Sequence, residues 1–252
     1  MHKKGKIYFV EVLLGRDSLK ILQKGFNYSQ DGPGNRLVYH LQGCNFSCKW
    51  CSNADSIPLE NSKAKDYSVD EIFDEIMRSR MMFFDGGGVT FTGGEVCVQA
   101  DELLELLKML KENGIHTAIE TNGSYSALKE ISEHVDYLIV DLKHYDETEH
   151  KKWVGTSNKS TKENIEYFFS TGRQIHIRIP VINGVNNDPR GFADYFSRFD
   201  TSNVVFEFLA YHEYGKDKWQ GKYEIENGFV NSETINEFKK IFENHGMKTV
   251  VT

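Results

Sequence analysis

Three of the chain's four cysteines, Cys44, Cys48 and Cys51, fall in the stretch "QGCNFSCKWCSNAD" at residues 42–55. Their spacing, C-x3-C-x2-C, lets three thiolates converge on one metal centre from a single short loop. A disulfide would leave one thiol over. Structural zinc takes four ligands, usually as two separated pairs, and the second pair is missing: Cys97 stands alone and His40 is the candidate for a fourth ligand. A four-iron cluster can leave one iron without a protein ligand, so three thiolates anchor it while the fourth iron binds a small molecule. The spacing favours an open iron–sulfur site, with zinc or a chance grouping of thiols as the alternatives.

Composition bounds the setting. With 252 residues, 39% of them hydrophobic, the chain can bury a substantial core. One domain over residues 1–252 is expected, with an N-terminal extension over about residues 1–30. A net charge of -7 repels nucleic-acid phosphates and anionic lipid, so no nucleic acid and no membrane is expected as partner. The start, "MHKKGKIYFVEVLLGRD", has a basic head and an apolar run, but Glu11 interrupts it and no small-residue cleavage site follows. No later stretch approaches the roughly 20 apolar residues that span a bilayer. The reading is a cytoplasmic protein, expected to be a monomer. In that reducing compartment clustered cysteines serve as metal ligands or redox groups rather than as disulfides.

The elements that must position the thiols follow from periodicity. Short apolar runs at 36–43, 88–94, 115–121, 136–142, 173–181 and 203–211 alternate with helical patterns, the rhythm of βα units around a parallel sheet. "SVDEIFDEIMRSR" opens with Ser68 and has Glu71 three positions on, the capping-box spacing, and "ADELLELLKMLKENG" ends at Gly114, a C-cap residue. "STKENIEYFFSTG" and "SETINEFKKIFENHG" repeat the polar start, apolar stripe and closing glycine. The fold expected is α/β, a partial (β/α)6 TIM-like barrel, with a doubly wound open sheet as second choice. In either, reactive groups gather at the C-terminal ends of the strands. There lie "QGC", "TGGE", "ETNG", "DLK", "IRIPVINGV" and "AYHEYG".

The cysteine loop, with Trp50 in the aromatic slot of C-x3-C-x-aromatic-C and Asn53 two residues after the last cysteine, resembles the signature of the radical S-adenosylmethionine (SAM) superfamily. "DGPGNR" (31–36), "VTFTGGE" (89–95), "ETNG" (120–123), "DLKHYDETEHKKWVGTSN" (141–158) and "YHEYGKDKW" (211–219) occur in order. Together they resemble the activating enzymes of glycyl radical enzymes, in the compact form without a ferredoxin-like insert. Val96 and Cys97 after "GGE" depart from the family's usual Pro or small residue, and Cys97 reads as a buried small hydrophobe.

The resemblance implies a 4Fe-4S cluster on Cys44, Cys48 and Cys51 and reductive cleavage of SAM to a 5'-deoxyadenosyl radical, which takes a hydrogen from a glycine of a partner glycyl radical enzyme. It implies a flavodoxin or ferredoxin-type electron donor. It assigns SAM contacts to Trp50, Cys51, Ser52, Gly93, Gly94, Leu142, Lys143, His144, Arg178 and His212. It assigns a monovalent cation, Na+ or K+, to Glu120, Thr121 and Asp141, with Glu120 standing where relatives have Asp. It sets Asp31, Gly32, Pro33 and Gly34 beside the partner's glycine loop. Residues 15–30 match no motif, and their mix of Leu19, Ile21, Leu22, Phe26 and Tyr28 with Lys20 and Lys24 suits either a docking surface or an element covering the barrel.

Overall fold

All six expected strands form and sit side by side in one sheet. The computed structural model describes residues 18–219 and 223–250, so the apolar run at the start of the chain lies outside it. The strands are β1 (Ser18–Tyr28), β2 (Asn35–Leu41), β3 (Lys65–Ser68), β4 (Gly88–Gly93), β5 (Thr117–Thr121), β6 (Tyr137–Asp141), β7 (Ile175–Val181), β8 (Val204–Ala210) and β9 (Lys248–Val250). Their order is β3-β1-β2-β4-β5-β6-β7-β8-β9. From β2 to β9 every neighbouring pair is parallel, while β1 runs antiparallel to both β2 and β3. Among the described residues the edge strands β3 and β9 do not pair, so the barrel is open. Residues 18–28, expected within an extension, are a full strand of this sheet.

Parallel strands are buried on both faces, and here the two faces differ in kind. One alternating set, including Leu37, Tyr39, Val89, Phe91, Ile119, Leu138, Ile177 and Phe206, joins the main apolar core. The other set, on the inner face, carries Arg36, Thr90, Thr92, Glu120, Asp141, His176, Arg178 and Glu207. The parallel register aligns Glu120 with Ile139, Asp141 with Arg178 and Arg178 with Glu207, so these side chains share that face.

Among the described residues there are seven α-helices: α1 (Val69–Ser79), α2 (Ala100–Glu112), α3 (Leu128–Ser132), α4 (Glu147–Val154), α5 (Lys159–Ser170), α6 (Pro189–Phe196) and α7 (Ser232–Asn244). Their buried residues, such as Ile72, Leu106, Leu110, Phe168, Phe192 and Phe238, belong to the same core. The capping box at α1 forms as expected: Glu71 N donates to Ser68 Oγ at 3.1 Å and Ser68 N to Glu71 Oε2 at 2.8 Å. Gly114 adopts φ +67° just beyond α2. The helices not anticipated are the short ones. Two of them are started by carboxylate caps, Asp146 accepting from Glu149 N and Asp188 from Arg190 N. No helix among the described residues is long and apolar enough to cross a membrane.

Gln99, at the start of α2, ties β1 to the end of β2, from which the thiol loop leaves. Its Oε1 accepts Lys20 N at 2.7 Å, and its Nε2 donates to Lys20 O at 3.0 Å and Gln42 O at 2.9 Å. Gln99→Ala withdraws three hydrogen bonds from partly buried backbone and should destabilise the fold by about 1–3 kcal/mol. A lower urea midpoint at unchanged slope is the expected result, and an unchanged midpoint would show that water replaces the amide at no cost.

Candidate active site

Beyond β2 the chain turns at Gly43, φ +97°, and loop 44–53 is held from three sides. Gly43 N and Cys44 N donate to Ser56 O and Ile57 O, which closes the loop on itself. Ser47 N and Lys49 N donate to Val154 O and Trp153 O at the end of α4. From beyond β8, Trp219 Nε1 donates to Cys51 O at 3.0 Å and Lys218 Nζ to Asn53 Oδ1 at 3.1 Å. Two close approaches admit no side chain: a Cβ at Gly155 would meet Ser47 Oγ, and one at Gly215 would meet the Ser52 backbone. Underneath, Phe46, Cys48, Trp50, Val154, Ile182, Tyr211 and Ile225 form a second, smaller apolar cluster.

The three thiols open on one cavity of about 300 Å³. Trp50, Ser52, Gly93, Gly94, Lys143, Arg178 and His212 also line it, as do Glu120, Thr121, Asp141 and Asp31. Burial pushes the Cys44 thiol up to about 12 and raises Cys48 and Cys51 as well. Left to themselves the three stay protonated at neutral pH, and a bound cationic iron–sulfur core is what turns such groups into thiolates. His212 offers a second sign of a ligand: its Nδ1 is buried without a hydrogen-bond partner, its ring stacks on Tyr214 at 4.4 Å, and burial lowers its pKa, so it is neutral. The donor set fits a cluster and a polar cofactor.

Gly93 and Gly94 are required first by the neighbouring backbone. Gly93 has φ +113°, and side chains at the two positions would strike Leu41 N and the Gly43 carbonyl. The same turn buries Glu95, whose Oε1 accepts Thr121 Oγ1 at 2.6 Å and Cys97 N at 3.1 Å while Oε2 accepts Asn122 N at 2.7 Å. Burial raises the Glu95 pKa against the pull of these donors. Cys97 itself is buried in the main core and does not line the cavity, and neither does His40.

Below the thiols the inner face is a chain of paired charges. Arg178 NH1 lies 2.6 Å from Glu120 Oε1, its Nε 2.7 Å from Glu207 Oε2, and its NH2 donates to Gln30 O. His176 Nε2 is 3.1 Å from Glu207 Oε2, and its Nδ1 is 2.6 Å from Tyr137 OH. Burial opposes the Arg178 charge, but Glu120, Glu207 and Asp141 outweigh it and its pKa rises. Lys143 behaves alike: burial disfavours its charge, while Asp141, 2.6 Å away, favours it more.

Three groups of the expected residues stand in different relations to the cavity. Leu142 is fully buried in the core, and His144 packs between Tyr145 and Phe192 with Nδ1 accepting Asp146 N; neither side chain lines the cavity. Glu120, Thr121 and Asp141 do line it, but Glu120 is taken by Arg178 and Thr92, Thr121 by Glu95, and Asp141 by Lys143. The three are not presented together to a cation. Of loop 31–34 only Asp31 reaches the cavity, with its backbone carbonyl accepting Thr90 Oγ1 and the Pro33 carbonyl accepting Arg36 NH1. Asn53, Asn122, Lys218 and Trp219 bear on the site without having been assigned roles. The motifs "CSN", "ETNG" and "GKDKW" contain them, but only the fold shows which side chains face the thiols.

Residues 38–196 match the family model of the radical SAM superfamily. The chain is 33% identical over 232 residues to the pyruvate formate-lyase 1-activating enzyme of Escherichia coli (strain K12), covering 87% of this chain and 93% of that protein. It is 30% identical to the 4-hydroxyphenylacetate decarboxylase activating enzyme of Clostridioides difficile (strain CD196), covering 88% and 92%. A crystal structure of a domain of pyruvate-formate lyase-activating enzyme from Bacteroides vulgatus superposes with a TM-score of 0.56 at 27% identity, over 66% of this chain and 99% of that one. Sequence match, coverage and superposition agree: the chain belongs to the radical SAM superfamily and, within it, to the family of the pyruvate formate-lyase-activating enzymes.

Proposed function

We propose that this chain activates a glycyl radical enzyme. Bound together, a 4Fe-4S cluster on Cys44, Cys48 and Cys51 and SAM supply a 5'-deoxyadenosyl radical able to take a hydrogen from the α-carbon of a partner's glycine. The observation that carries the reading is the single cavity shared by the three thiols, Lys143, His212 and Asp31, in a chain similar over most of its length to named activating enzymes. Lys143 and Arg178 hold fixed positive charge where a carboxylate of the cofactor is to be met. His212 offers the unpartnered Nδ1, and Trp50 a flat apolar wall for a nucleobase. Asp31, coming from the opposite end of β2, lines the cavity on the side where a glycine loop has to enter. The two named relatives act on different partners, so the class of partner is proposed and not one member of it. A one-electron donor of flavodoxin or ferredoxin type, a cytoplasmic setting and no nucleic-acid partner complete the reading.

The test is anaerobic reconstitution with iron and sulfide, followed by incubation with reductant, SAM and candidate glycyl radical enzymes. A glycyl radical signal on one partner in electron paramagnetic resonance is the expected result, and SAM cleavage with no radical on any partner would sink the activase reading. Single Cys44→Ala, Cys48→Ala and Cys51→Ala variants should lose the cluster while Cys97→Ala keeps it. A colourless protein with one zinc per chain would replace the cluster by a structural metal.

We further propose that no monovalent cation is needed, because Arg178 and Lys143 already meet the Glu120 and Asp141 charges. SAM cleavage rates should then agree in potassium, sodium and choline chloride at equal ionic strength. A severalfold advantage for K+ or Na+ would mean that cofactor binding frees the acids for a cation.

A further inference from the structure

The turn after β5 reaches across to the thiol loop at one point. Asn122 Nδ2 donates to Asn45 Oδ1 at 2.9 Å and lies 4.0 Å from Cys44 Sγ. The amide's orientation is fixed by its other end, since Oδ1 accepts Ser124 N at 3.0 Å and so leaves the NH2 group facing the sulfur. Asn45 is anchored in turn, its Nδ2 donating to Ser124 Oγ at 2.8 Å. Nor can this turn easily relax. Glu95 holds Asn122 N, Thr161 Oγ1 donates to Asn122 O at 2.9 Å, and Asn164 Nδ2 donates to Gly123 O at 2.7 Å. Gly123 has φ +72°, and a Cβ there would come within 2.7 Å of Val140 Cγ1. Cys44 Sγ thus faces two donors, Phe46 N at 3.4 Å and the Asn122 amide.

We infer that Asn122 is a positioning residue that tunes the reducibility of the cluster through Cys44. The inference rests on the cluster reading above. An electron added to an iron–sulfur cluster spreads onto its thiolate sulfurs, and N–H groups directed at those sulfurs stabilise the reduced state, more so where water is scarce. Glu95 and Ser124 act one step further out by fixing where that amide points.

The experiment uses the full chain, reconstituted anaerobically, with iron content and the ratio of reduced to oxidised cluster read at a fixed potential by electron paramagnetic resonance. Asn122→Ala should keep its iron, with the ratio severalfold lower than in the wild type. Asn122→Asp keeps the side chain's shape while removing the donor and adding negative charge, and should lower the ratio further. Ser124→Ala, which leaves the amide in place, should change it least. Iron-replete Asn122→Ala and Asn122→Asp with the wild-type ratio would overturn the inference, as would loss of iron in both, which would make the clamp purely structural. A wild-type chain that takes up no cluster overturns the cluster reading itself, and that outcome is visible before any variant is made.

Discussion

Arg178 is the group on which the inner face of the sheet depends. It is 9% exposed and stands between two carboxylates, Glu207 from the adjacent strand β8 and Glu120 from β5, two strands away on the other side. A buried ion taken from water is tolerated only when its partners are close and its remaining donors are used, and removing one member of such a set typically costs about 3–5 kcal/mol. Arg178 meets both conditions, its third contact being the carbonyl of Gln30. That contact converts a charge network into a structural tie, because Gln30 belongs to the loop that precedes β2. The same arginine therefore sets the electrostatics of the cavity and the position of the segment that closes it from below.

The thiol loop depends on a different kind of constraint. Its backbone is bound by α4 and by the segment after β8, while its apolar underside packs on Val154, Ile182, Tyr211 and Ile225. Elements far apart in sequence thus fix a stretch with no regular structure of its own. Such external clamping keeps three thiols in place without the zinc-like second pair that the sequence lacks, and it brings all three to the wall of one cavity.

Much of this was legible in the residues. The C-x3-C-x2-C spacing located the thiols, the alternation of apolar runs located all six central strands, and the placement of polar motifs after those runs located the cavity wall. Strand β1 was not legible, because its outer residues alternate weakly and its Phe26 and Tyr28 are exposed on the hairpin. Leu142 and His144 turn their side chains away from the cavity for a simpler reason: neighbours along a chain leaving a strand point in opposite directions, and a family motif names positions without saying which side chains turn inward. The fate of Glu120 was likewise hidden. One added methylene brings its carboxylate to Arg178 and Thr92, a contact between strands that no one-dimensional pattern contains.

Strand β2 explains how the two halves of the site come to face each other. Its C-terminal end delivers the thiol loop and its N-terminal end receives loop 29–34, yet residues from both line one cavity. Seven residues of parallel strand span only about 23 Å, and loop 29–34 folds back along the inner face instead of away from it. Arg36 enforces that return. Its side chain is fully buried, has no carboxylate in contact among the described residues, and spends its donors on Pro33 O, Val89 O, Thr90 Oγ1 and His116. Burial lowers its pKa to about 10, with Asp136 and Asp31 opposing the shift. A charge held under such strain of solvation is retained where it fixes geometry. Here it fixes the position of loop 29–34 across the cavity from the thiol loop.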